Sequence, residues 1–158
     1  MNWLSLIIGF IVGAVVIGLA AWKMMPKMMM EVHKSRLGFE ETVEAVEKEA
    51  LSRGWNVPKI YNIQKTLTDA GHADMTRAKI ISICQPDHAY NILRFDENKF
   101  VTGIMPCRVG IYETADGVYI AEMNMGLMSK MFGSTIEQVM GQVAAEEKEM
   151  MSGIVAAA

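Results

Sequence analysis

The chain has 158 residues, 51% of them hydrophobic, and a net charge of −3 from 15 Lys and Arg against 18 Asp and Glu. Both signs are mixed along the chain, which excludes the basic stripe of a nucleic-acid binder, so no nucleic-acid partner is expected. Beyond an apolar N-terminal segment about 120 residues remain, enough for one domain with a real core.

Residues 3–22, from Trp3 to Trp22, hold no charged side chain and are almost wholly apolar. A bilayer core of about 30 Å takes about 20 such residues at helical rise, and a helix satisfies its own backbone there. Residues 1–23 are therefore predicted to be a single-pass transmembrane anchor in the cell membrane, with lipid as its first partner. A cleaved signal peptide is the rival reading, with Gly18-Leu19-Ala20 as its small-x-small site. The length of the run and the lack of Lys or Arg before it favour a retained anchor. Trp3 and Trp22 stand at the aromatic-belt positions of such a span. Gly9, Gly13, Ala14 and Gly18 follow a small-xxx-small spacing that lets helix backbones approach closely. Glycine is also simply common in membrane helices. Lys23, Lys27, Lys34 and Arg36 follow the span, and only the terminal amine precedes it. The positive-inside rule then puts the soluble domain in the cytoplasm, with a periplasmic or extracellular domain as the alternative.

Residues 24–38 read as a juxtamembrane linker or first strand. Pro26 ends or kinks the anchor helix, and MMMEVHKSR either forms a strand or resumes the helix. Residues 39–53 form an amphipathic helix with Phe39, Val43, Val46 and Ala50 on one face, closed by Gly54. Residues 55–63 read as a strand that Pro58 pushes toward a sheet edge. A short helix at 65–69 and a polar loop at 71–77 follow. KIISIC at 79–84 is a buried strand, and Pro86 opens a helix to about residue 95. Residues 106–113 and 118–124 make a hairpin around Ala115-Asp116-Gly117. Ser134-Thr135-Ile136-Glu137 is a capping box. It starts a last helix with Ile136, Val139, Met140 and Val143 on its inner face, and the small-residue tail after Gly153 is expected to fray. The expected class is α+β: a single N-terminal transmembrane helix, then a two-layer α/β sandwich with a mainly antiparallel sheet. The soluble domain is placed at 39–133, and an amphipathic helix and tail at 134–158.

The chain lacks a glycine-rich phosphate loop, HExxH, GxSxG, a CxxC pair and a CxxCH haem-attachment site. No enzymatic reaction is expected from its motifs. The two cysteines are the strongest candidates for a ligand or redox site. Cys84 ends a core strand just before a helix start, and Cys107 begins a strand just after a proline. A helix N-terminus favours the thiolate, the form that attacks and ligates. Two small buried hydrophobes are the plainer reading, and a disulfide is a third in an oxidising compartment. His88 lies four residues after Cys84, on the first turn that Pro86 opens, where it completes a Cys/His set with Cys107. A solvated surface histidine is the plainer alternative. His33 and His72 are the other histidines, and His72 sits in a glycine-flanked loop. Fifteen methionines include clusters at Met24, Met25, Met28, Met29 and Met30 and at Met123, Met125, Met128 and Met131. Soft thioethers suit Cu(I) and haem iron, which makes Met123, Met125 and Met128 weak metal candidates; filling core gaps is their ordinary role.

LGFEETVEAVEKEALSRGW, IISICQPDHAYNIL, GIMPCRVGIYE and GVYIAEMN occur in this order. Together they resemble the domain-of-unknown-function family 302 over residues 32–125. The Cys-x-Pro turn and the Pro-Cys strand start are the most specific pieces, and Gln85 stands where the family usually has asparagine. The resemblance implies a fold of the TATA-binding-protein-like α/β type and a small, often dimeric domain without an agreed activity. The anchor and the helix from residue 134 onward lie outside it. The leading expectation is a membrane-anchored, non-catalytic accessory or interaction subunit of a larger membrane complex, or a homodimer. The alternative is a ligand-binding or redox module that uses Cys84, Cys107 and His88 for a metal, haem or sulfur species, with no cofactor identified.

Overall fold

The computed structural model describes residues 3–156, apart from the side chains of Ser5 and Leu6. Helix α1 spans Trp3–Met28. Its stretch Ile7–Met28 is long and apolar enough to cross a membrane. Pro26 was expected to end or kink this helix, yet the helix runs two residues past it. A proline in the last turn removes only one backbone bond. Strand β1, Met30–Lys34, follows at once, so the linker or first strand expected at 24–38 is a last helical turn, a strand and a short turn.

Four more strands complete the sheet: β2 (Asn56–Asn62), β3 (Ala78–Cys84), β4 (Cys107–Thr114) and β5 (Gly117–Met123). Their order is β1-β5-β4-β3-β2, and each pair is antiparallel. β2 is an edge strand, as Pro58 requires, and its register against β3 shifts between Asn56 and Lys59. Helix α2 (Phe39–Ser52) ends where Gly54 takes φ +77°, a left-handed value that glycine adopts without strain. Helices α3 (Ile63–Asp69), α4 (Pro86–Leu93), α5 (Met125–Ser129) and α6 (Ser134–Met151) complete the regular structure with a 3₁₀ segment, Asp96–Gly103. The 3₁₀ segment and α5 carried no sequence expectation, since neither is long enough to show a period.

One face of the sheet builds the core. Ile81 and Ile83 of β3, Val109 and Ile111 of β4, and Val118 and Ile120 of β5 alternate inward. They meet Phe39, Val43, Val46 and Ala50 of α2 and Val143, Met150 and Met151 of α6. A second cluster of Ile92, Val101, Ile136, Val139 and Met140 ties α4 and the 3₁₀ segment to α6. Helix α6 thus belongs to the same core as 39–133 rather than to a separate C-terminal segment. Two local expectations at its ends fail. Ser134 is the first helical residue with φ +53°, Gly133 before it is the cap, and no side-chain capping bond forms among the described residues. The tail is anchored as far as Ala156, the last two residues lying outside the described ones: Ile154 is 3% exposed, Ala156 N–H donates to Lys34 O at 2.8 Å, and Val155 bridges to Ser35. The backbone bonds to the end of β1 hold what small-residue composition alone leaves loose.

Candidate functional site

Cys84 and Cys107 stand at the ends of neighbouring central strands, where Ile83 pairs directly with Cys107. Helix α4 starts right after Cys84. Its cap is Gln85, whose Oε1 accepts from Asp87 N at 2.6 Å and His88 N at 3.0 Å. The residue that departs from the family's asparagine therefore still closes the turn. The cap fixes the first turn of α4 and aims His88 inward, with its side chain only 15% exposed. There His88 Nε2 lies 2.8 Å from Glu146 Oε1 on α6. Trp55 Nε1 donates to Glu146 Oε2 at 2.9 Å, and the Trp55 and His88 rings meet edge to face at 6.4 Å. His88 is a held, half-buried side chain rather than a solvated one.

Cys84, Cys107 and His88 line one cavity of about 40 Å³, with Trp55, Met105 and Met125 among its other walls. Both cysteines are free thiols. Burial pushes the Cys84 thiol up. Cys107 is pushed up strongly, first by burial, then by the charge of Glu147 and its own hydrogen bond to that carboxylate, and further by Cys84. The helix-start effect expected to favour a thiolate at Cys84 is outweighed by desolvation. At neutral pH both are thiols, not ready nucleophiles.

Two carboxylates behind this cavity carried no expectation from the sequence reading. Glu147 of α6 is 5% exposed and lines a cavity with Cys107. Burial and then the nearby Glu122 push it up to about 8. Glu122 of β5 is 7% exposed. Burial, with a smaller push from Glu31, takes it to about 7, against a lowering by His33. A signal for both was present. Glu147 falls four residues after Val143 and three before Met150, on the apolar stripe of α6. Glu122 falls two after Ile120, on the inward side of β5.

The other candidates separate. Met125 joins the cysteine cavity. Met123 lines different cavities, beside Glu122 and Glu147. Met128 is 7% exposed and fills space as an ordinary buried side chain. His72 is exposed in its loop, and His33 lies on edge strand β1, with Glu31 and Glu122. Along α1 a Cβ at Gly9, Gly13 or Gly18 meets nothing within 4 Å among the described residues, and Ala14 is exposed.

Residues 30–158 match the family described as Domain of unknown function DUF302. The chain belongs to that family. The match takes in β1 and all of α6, so it reaches further than the stretch 32–125 on which the resemblance rested. Helix α1 lies before it. The DUF302 domain also superposes on the crystal structure of an uncharacterized conserved protein DUF302 from Bacillus stearothermophilus, with a TM-score of 0.71 and 19% identity over 79% of this chain and 97% of that one. Likeness at that identity establishes the fold and leaves activity open. None of the curated proteins matches the chain.

Proposed function

We propose that this DUF302 chain is a membrane-tethered module that binds a soft metal ion, Cu(I) by its chemistry, in the cavity between β3, β4, α4 and α6. The observation that carries the reading is that Cys84, Cys107, His88, Met105 and Met125 all line a single small cavity. Thiolate, thioether and imidazole together are the donors a soft ion selects. Size narrows the choice further. A space of about 40 Å³ has room for an ion or a few waters, not a porphyrin. Because both thiols are protonated at rest, the ion displaces protons as it binds. Glu147 holds its own proton up to about 8, so the displaced protons go to solvent and the affinity rises with pH. The tether is α1, anchored in the cell membrane, with the domain on the cytoplasmic side that the basic flank favours. Helices α2 and α6 on one face of an antiparallel sheet support the finer TATA-binding-protein-like reading of the fold.

The test is an anaerobic competition for Cu(I) against a chromophoric chelator, with the full chain in detergent. One Cu(I) per chain, lost in both Cys84→Ser and Cys107→Ser, is the expected result. No copper retained, or retention unchanged in both variants, overturns the reading. An accessory role in a larger membrane complex is the second reading. The exposed collar of Met24, Met25, Met28 and Met30 favours it, beside the small-residue face of α1. Gly9→Leu with Gly13→Leu then releases co-purifying partners, and a lone monomer in mild detergent counts against it.

A further inference from the structure

At its β1 edge the inner face of the sheet changes character. Glu31 lies directly opposite Glu122 in the β1–β5 register. His33 follows Glu31 by two residues and so shares its face. Like charges directly opposite each other destabilise an antiparallel pair, so this register asks for a positive partner. One ligand atom from each of Glu31, His33 and Glu122 lies within 4.8 Å of the other two. His33 Nε2 and Glu31 Oε2 are 3.7 Å apart, beyond a hydrogen bond. Donors bound to one tetrahedral zinc ion stand roughly 3.4 Å apart. Closing the difference asks for side-chain rotations of an ångström or so, and His33 and Glu31 are 44% and 45% exposed and free to make them.

Glu122 supplies the independent sign of a ligand. It is 7% exposed, and its Oε2 is buried without a hydrogen-bond partner among the described residues. A buried carboxylate oxygen normally has a donor or a metal. This one lines a cavity of about 690 Å³ that Glu31 and His33 line as well. Arg36 and Lys148 also face that cavity. They leave room for an anionic co-ligand and do not neutralise Glu122, whose Oε2 neither one reaches.

We propose that Glu31, His33 and Glu122 bind a divalent first-row transition-metal ion such as zinc at the β1–β5 edge. The donor set is one imidazole and two carboxylates, which suits zinc and its neighbours better than calcium or magnesium. Three protein ligands facing an open cavity keep a coordination position for water or an anionic ligand. The site goes beyond the cysteine cavity and shares no donor with it.

The untagged full chain in detergent, stripped with a chelator, is titrated with zinc by calorimetry and with cobalt by absorption. The background is the double variant Cys84→Ser, Cys107→Ser, which removes the thiols and so separates this site from the soft-metal reading. One zinc per chain is expected, with a cobalt d–d spectrum that lacks a sulfur charge-transfer band. Glu122→Gln, which keeps shape and removes charge, weakens zinc tenfold or more. His33→Ala, on an exposed edge strand, does the same and guards against a folding defect at Glu122. No zinc in the thiol-free background overturns the proposal. So does unchanged affinity in both ligand variants with circular dichroism intact.

Discussion

The two ends of one sheet face carry opposite chemistries. At the β3–β4 end, Cys84, Cys107 and His88 are closed in by Trp55, α4 and the 3₁₀ segment, around a cavity of about 40 Å³. At the β1–β5 edge, Glu31, His33 and Glu122 face a cavity of about 690 Å³. Size and donor type separate them. The first end lies under two helical segments and keeps soft, neutral groups. The second is an edge where water or an ion can reach charge. Helix α6 joins the two with consecutive residues: Glu146 turns to His88 and Trp55, and Glu147 turns to Cys107 and Glu122. Adjacent positions on a helix point about 100° apart, so one turn serves both sites.

Opening the closed end is the largest test of that contrast. Trp55 is 2% exposed. Trp55→Ala should cost about 3–5 kcal/mol in chemical denaturation, through the cavity left in the core and the lost bond to Glu146. A loss under about 1 kcal/mol would break the picture of Trp55 as a packed wall of the cysteine cavity. The shared carboxylates give the next effect, read on metal-free protein. Unfolded Glu147 releases its proton near the ordinary 4.5, whereas the folded residue holds it to about 8. The unfolded state therefore binds fewer protons across that window, and stability falls as pH rises. The slope from Glu147 alone is at most about 1.4 kcal/mol per pH unit. Glu122, held up to about 7, adds to it over the lower part of the window. Glu147→Gln should flatten the stability profile between those limits and raise stability at pH 8. An unchanged slope would place the charge elsewhere.

Cover also differs between the thiols. Cys107 is the more deeply buried and the more strongly raised of the two. Alkylation of native protein by iodoacetamide, followed by peptide mass spectrometry, should label Cys84 roughly tenfold faster or more. Equal rates would mean that Cys107 is as open to reagent as Cys84. The smallest effect lies away from both sites. Lys65 and Asp69 pair on exposed α3 at 2.8 Å, and Lys65→Ala should change stability by no more than about 0.5 kcal/mol.

Much of the frame was legible because local chemistry decides it. Phe39, Val43, Val46 and Ala50 repeat at helical spacing, and all four are buried on α2. Pro58 lies on an edge strand, and Pro86 opens α4. The site was half legible. Cys84 and Cys107 stood out by type and by their places at strand ends. Glu146 and Glu147 sit in a run of charge, AAEEKEMM, whose partners appear only when α6 is laid across the sheet.

By itself the sequence determined the long apolar N-terminal helix, the order of most elements and the inward pattern of the strands, since side-chain spacing and glycine and proline geometry act within a few residues. Only the tertiary structure decided that Cys84, Cys107 and His88 share a cavity, that Ala156 closes onto Lys34, and that Glu31, Glu122 and Glu147 press their charges together. Those facts depend on strand register and on where α6 crosses the sheet. Burial and Coulomb interaction act through space, between residues that the chain keeps far apart.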